Sequence, residues 1–117
     1  MTYKEIFDMI NSIGYPATYN YFPQSTGMEA PYICFYYPGS NDYVADNHNY
    51  VKIEEVRIEL FTAGKDFEAE KKVESVLKAH NLPFSREETY IEKEGLYMQF
   101  YTTEITIDGD KQGVSYE

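Results

Sequence analysis

The sequence predicts an α+β domain: a mainly antiparallel sheet of four to five strands with two helices packed on one face. The predicted order is helix, three strands, helix, two strands. Three observations lead there. Two segments repeat apolar residues at helical spacing, and each ends with a residue suited to the left-handed conformation and a Pro two positions later. The segments between and after them alternate polar and apolar residues with a period of two. Links of hairpin length join the strands within each group, which favours antiparallel pairing and leaves both helices to cover the same side. A chain of 117 residues suits one core. Residues 1–107 form the expected single domain, and 108–117 a flexible polar tail.

The first helix is expected over Thr2 to Ile13. Thr2 and Glu5 have the spacing of a capping box. Tyr3, Ile6, Ile10 and Ile13 form one apolar face, flanked by Phe7 and Met9. Gly14 takes the left-handed position, and Pro16 forbids continuation. Ala17 to Phe22 (ATYNYF) reads as a short aromatic strand stopped by Pro23, followed by a polar loop from Gln24 to Ala30. Pro31 opens PYICFYY, an almost continuously apolar run expected to be buried on both faces. Pro38-Gly39 suits the centre of a type II turn.

The stretch SNDYVADNHN, from Ser40 to Asn49, is rich in residues that satisfy turns locally. It joins two strands expected to pair, so it becomes the tip of a long hairpin between the second and third strands. Tyr50 to Thr62 (YVKIEEVRIELFT) is the third and central strand. Its alternation slips at Glu54-Glu55: Val51 and Ile53 belong to one set, and Val56, Ile58 and Leu60 to the other. A β-bulge at the glutamates would return both sets to one face. Thirteen residues at roughly 3.3 Å each span about 43 Å. A compact domain of this length is only about 35 Å across. The strand must therefore bend, project, or do both.

The second helix is expected over Asp66 to His80, with Ala69, Val73, Val76, Leu77 and His80 on one face. Asp66, Glu68 and Glu70 near its start and Lys78 near its end suit the helix dipole. Asn81 takes the left-handed position before Pro83. Phe84 to Glu92 is a strand whose charges suit a sheet edge. Glu92-Lys93-Glu94-Gly95 is a tight turn, and Leu96 to Ile107 a second long strand of mixed phase.

The formal net charge of −10 argues against sequence-specific or broad nucleic-acid binding, which needs clustered Lys and Arg, and against adsorption to anionic membranes. The 13 tyrosines fit either protein–protein contacts or plain strand filling. Cys34 is the only cysteine, so an intramolecular disulfide and the zinc spacings are excluded. Without a signal pattern or a long apolar run, a soluble, intracellular protein is expected.

Catalytic chemistry finds no support in the residue pattern. His48 and His80 belong to no metal-ligand spacing, and His48 sits among solvated turn residues. Cys34 reads as a small buried hydrophobe. The pairs Glu54-Glu55, Glu68-Glu70 and Glu87-Glu88 have structural explanations in a bulge, a helix face and a strand edge. The reading is a non-enzyme with no catalytic residues, no cofactor and no metal.

A resemblance emerges over SNDYVADNHNYVKIEEVRIELFTAGKDFEAEKKVESVL. A loop with Ala45-Asp46-Asn47, a strand ending Glu59-Leu60-Phe61-Thr62, then Lys-Asp and an acidic helix resemble the small tail-completion or tail-terminator proteins of long-tailed bacteriophages and prophages. The amino-terminal helix, PYICFYY and LPFSREETYIEKEGLYMQFYTTEI resemble the same family, so the similarity spans roughly residues 1–107. The family implies a structural ring, usually hexameric, that caps the tail tube and joins it to the head. The implied partners are other copies of the chain, the major tail-tube protein and a head-completion protein. The implied location is the host cytoplasm during assembly and then the virion tail or neck. In such rings a long hairpin reaches a neighbour, which makes Tyr43, Val44, Asp46, Asn47, Tyr50 and Lys52 the candidate subunit interface. The alternative is a small regulatory or ligand-binding α+β domain, in which a sheet face and the long loop enclose a metabolite.

Overall fold

The structure, a computed structural model, describes residues 1–21, 28–41, 43–44 and 50–108, with the backbone alone at 43–44 and 50–51. Its elements run α1 (Tyr3–Asn11), β1 (Ala17–Tyr19), β2 (Tyr32–Ser40), β3 (Tyr43–Val44), β4 (Tyr50–Thr62), α2 (Phe67–Ala79), β5 (Phe84–Ile91) and β6 (Leu96–Ile107). The sheet order is β1-β2-β4-β6-β5, with β3 paired to β4 off this path. Every pairing is antiparallel except that of β1 with β2. The α+β class, the element order and the long hairpin agree with the sequence reading, with β3 as a short extra rung at the hairpin end.

Local chemistry sets the helix limits. The Glu5 amide donates to Thr2 Oγ1 at 3.1 Å and the Thr2 amide donates to Glu5 Oε1 at 2.8 Å, which completes the capping box. Gly14 carries the positive φ of +106° expected beyond α1. Asp66 caps α2 by accepting from the Ala69 amide at 3.0 Å. At its other end Asn81 sits at φ 58°, the Leu82 amide donates to the Leu77 carbonyl and the Asn81 amide to the Lys78 carbonyl, both at 3.0 Å. Those two bonds are the Schellman pattern. His80 is exposed, not part of the apolar face: it is the cap residue, so its side chain lies past the last core-facing turn.

Both helices cover one face of the sheet. Ile6, Met9 and Ile10 of α1 and Ala69, Val73 and Leu77 of α2 share a buried cluster with Ile33, Phe35, Val56, Ile58, Leu60, Tyr101, Ile105 and Ile107. The Tyr101 hydroxyl, inside that core, donates to Glu74 Oε2 at 3.1 Å. Burial, reinforced by the Glu74 charge, pushes the Tyr101 hydroxyl well above its ordinary range.

Three expectations need correction. The bulge is not at Glu54-Glu55. From Lys52 opposite Ile107 to Thr62 opposite Tyr97, β4 keeps unbroken register with β6. The irregularity is in β2, where Tyr36 pairs with Arg57 but Gly39 pairs with Glu55, so Tyr37 and Pro38 together face Val56. Pro38-Gly39 accordingly lies inside β2 and makes no type II turn, because a bulge is one place where a strand tolerates a residue without an N–H donor. The aromatic strand ATYNYF is also shorter than expected. It stops at Tyr19 because Asn20 turns left-handed at φ 75°.

With β4 unbent at the glutamates, its two apolar sets stay on opposite faces. Glu54 points to the covered side and is only 8% exposed. The same holds for β6, where Tyr101, Ile105 and Ile107 face the helices while Leu96, Met98 and Phe100 face away.

Candidate interaction surfaces

Three places on the molecule can meet a partner, and the first is the hairpin end. Tyr50 and Val51 extend beyond Lys52, the last β4 residue with a β6 partner, and pair instead with Val44 and Tyr43 of β3. The tip thus continues the sheet past the β4–β6 ladder, along a molecule whose longest dimension is 51 Å. Of the six candidate interface residues, Tyr43, Val44 and Tyr50 share this rung, and half-buried Lys52 sits at its base. Asp46, Asn47 and His48 lie outside the described residues, as does 109–117 of the tail.

The second place is the sheet face opposite the helices. Tyr32 of β2 stacks on Phe61 of β4 with centroids 4.8 Å apart and planes 16° from parallel. Arg57 lies between two rings, its guanidinium carbon 5.0 Å from the Phe100 centroid and 5.9 Å from that of Tyr36. Its Nη1 donates to the Tyr36 hydroxyl at 3.3 Å, while its Nε is buried with no hydrogen-bond partner. Glu59 stands beside them, and burial raises its carboxyl pKa against the opposing pull of the Tyr36 hydroxyl and the Arg57 charge. Cys34, in no disulfide, is buried on this side. Among the described residues no helix covers this face, and Tyr32, Tyr36, Phe61, Met98 and Phe100 are all half-exposed.

No protein-family model matches the chain, and no curated protein does. Among solved structures, its fold is similar to a chain in the virion of a native gene transfer agent particle. The TM-score is 0.55 at 13% identity, over 85% of this chain and 83% of that one. At that identity the likeness is one of fold.

The third place is a cavity of about 630 Å³ between α1, β1, β2 and β4, which sequence reasoning missed. Tyr3 and Phe7 come from α1, Tyr19 from β1, Phe35 and Tyr37 from β2, and Glu54 from β4. The rings form a connected set: Tyr3 and Tyr19 each lie within 5.4 Å of Tyr37, and Phe7 lies 6.1 Å from Phe35. The Tyr3 hydroxyl donates to Glu54 Oε2 at 2.6 Å. Burial foremost, then the neighbouring Tyr19 and Glu54, push the Tyr37 hydroxyl up to about 12.

The remaining acidic pairs are structural. Lys65 bridges Glu70 of α2 at 2.8 Å and Glu88 of β5 at 2.7 Å, and Gln99 donates to the same Glu88 oxygen at 2.7 Å. Hydrogen bonding from Lys65 and Gln99 holds Glu88 below the usual carboxylate range. Among the described residues no group of three or more His, Cys, Asp or Glu could hold a metal ion. No described helix is long and apolar enough to cross a membrane.

Proposed function

We propose that the chain is a structural component of a phage or phage-like particle, a tail-terminator or head–tail joining protein that assembles as a ring. The fold likeness to a gene transfer agent virion chain carries this reading, because it spans most of both chains. The surfaces supply the two different patches that a head-to-tail ring requires. One is the hairpin rung of Tyr43, Val44 and Tyr50 with Lys52 at its base, to which the sequence reading adds Asp46 and Asn47. The other is the uncovered sheet face, whose mixture of Tyr, Phe, Met and Arg is the composition enriched at protein interfaces. In this arrangement the tip of one subunit rests on the open face of the next. The tube protein and a head-completion protein contact the two ends of the ring, in the host cytoplasm during assembly and then in the virion neck. The role is mechanical and needs no catalysis.

Light scattering after size exclusion, over a concentration series with and without tail-tube protein, tests the proposal. A ring that grows with concentration is expected. Replacing Tyr43 and Tyr50 together by Ser is expected to leave the fold intact and abolish the ring. A strict monomer under every condition would overturn the reading.

A further inference from the structure

The aromatic cavity has the chemistry of a cation receptor. Among the described residues five rings line it, and the face of an aromatic ring attracts a cation electrostatically. A carboxylate, Glu54, closes one wall while being only 8% exposed. A buried carboxylate ordinarily has a charged partner as well as hydrogen bonds. Glu54 accepts a bond from Tyr3, but among the described residues no Lys or Arg stands within ion-pair distance of it. Lys4 is also among the lining residues, but its side chain is 81% exposed and its ammonium lies 3.0 Å from Asp8. It does not fill the cavity, and the net charge of −10 adds a long-range bias toward cationic partners.

We infer that this cavity receives a Lys or Arg side chain from a protein partner, the alkyl stem lying along the rings and the charged head reaching Glu54. The volume of about 630 Å³ falls in the range of small-ligand pockets and leaves ample room for one basic side chain. The rim favours a side chain carried on a protein surface over a free ammonium compound. Phe7 is 45% exposed and Tyr19 50% exposed, so two rings beside the cavity offer apolar contact area to whatever surface bears the cation. The slip at Glu54-Glu55 gains a purpose here: the unbent strand sets the carboxylate on the helix side, where the tyrosines gather. The inference stands apart from the ring, since it concerns one subunit and one basic side chain.

The test follows ring-proton shifts of Tyr3, Phe7, Tyr19 and Tyr37 by NMR, at protein concentrations below any assembly. The probes are N-acetylarginine methylamide, N-acetyllysine methylamide, the neutral N-acetylnorleucine methylamide, and choline. Saturable shifts with a Kd of about 1–10 mM are expected for at least one basic amide, and weaker binding of norleucine by about fivefold or more. Glu54→Gln keeps an acceptor for the Tyr3 hydroxyl and is expected to lower affinity for the basic amide about fivefold. Phe7→Ala, at an exposed position, provides a second variant with a smaller loss should Glu54→Gln fail to fold. Norleucine binding equal to the basic amides, affinity unchanged in Glu54→Gln, or no saturable shift with either cation would each overturn the inference. Choline binding tenfold tighter than both amides would also overturn it, in favour of a free ammonium ligand.

Discussion

On the covered face of the sheet, Val56, Ile58 and Leu60 are fully buried aliphatics packed beneath two helices. On the other face the alternate residues of the same strand are Arg57, Glu59 and Phe61, half-buried among Tyr32, Tyr36 and Phe100. One strand thus serves two purposes at once. Around Val56, Ile58 and Leu60 the covered side is mainly aliphatic, with Glu54, Gln99 and Thr103 buried alongside, and these residues secure the fold. The open side mixes rings with the Arg57 guanidinium and the half-buried carboxyls of Glu55 and Glu59, polar groups taken partly out of water. Arg57 Nε is buried without a partner, and Glu59 is held partly protonation-prone by its surroundings. A face with these residual demands gains more from a second surface than an aliphatic one that is already satisfied.

The strongest way to break this comparison is to truncate one residue on each side. Ile58→Ala is expected to cost about 2–5 kcal/mol in urea unfolding, because it removes fully buried methyl groups and leaves a void. Met98→Ala on the open face is expected to cost about 1 kcal/mol or less. Equal losses would show that the open face is as much a core as the covered one.

Arg57→Leu sharpens the comparison from the other side. Removing the orphaned Nε together with the charge is expected to change monomer stability by less than about 1 kcal/mol. Assembly, measured by light scattering, is expected to weaken by about tenfold or more, since Arg between aromatic rings is a common interface anchor. Unchanged assembly would remove this face from the proposed contact.

The smallest effect concerns Glu59 and pH. Its folded pKa lies above the ordinary 4.5, so the folded protein holds the proton more tightly than the unfolded chain. Stability contributed by the protonated group is complete below the unfolded pKa and is lost as pH rises through the folded one. Glu59→Gln is therefore expected to raise the thermal midpoint at pH 7 and to leave it nearly unchanged at pH 3.5. A midpoint increase of the same size at both values would sink this account.

Much of the fold was legible because local chemistry and packing agree. The capping box at Thr2, the left-handed Asn81 and the turn at Gly95 each place an element end where the backbone requires it. The central strand from Tyr50 to Thr62 follows from its alternating pattern between the Asn- and Asp-rich loop before it and Gly64 after it. The phase slip at Glu54-Glu55 was visible too, but its resolution was not. A bulge rescues a strand that has one buried face, whereas this strand has an apolar set for each side, and alternation alone does not separate the two cases. Pro38 misled for a related reason, since Pro-Gly serves a turn and a bulge equally well. The hairpin between β2 and β4 was legible as a long loop joining two strands. The cavity was not, because Tyr3, Tyr19, Tyr37 and Glu54 come from four elements whose proximity depends on the register of β2 and β4 and on the parallel placement of β1.

The unbroken ladder between β4 and β6 has a consequence in time. Backbone amides held between two full neighbours exchange with solvent only when much of the molecule opens, while those in marginal strands exchange through local opening. β4 lies between β2 and β6, whereas β1 is held by three residue pairs at the sheet margin. The wall of the cavity that carries Glu54 is thus among the slowest parts of the protein to open, and the wall that carries Tyr19 among the fastest. In the inferred receptor the charge sits on the sheet's most protected strand and the Tyr19 ring on its most marginal one.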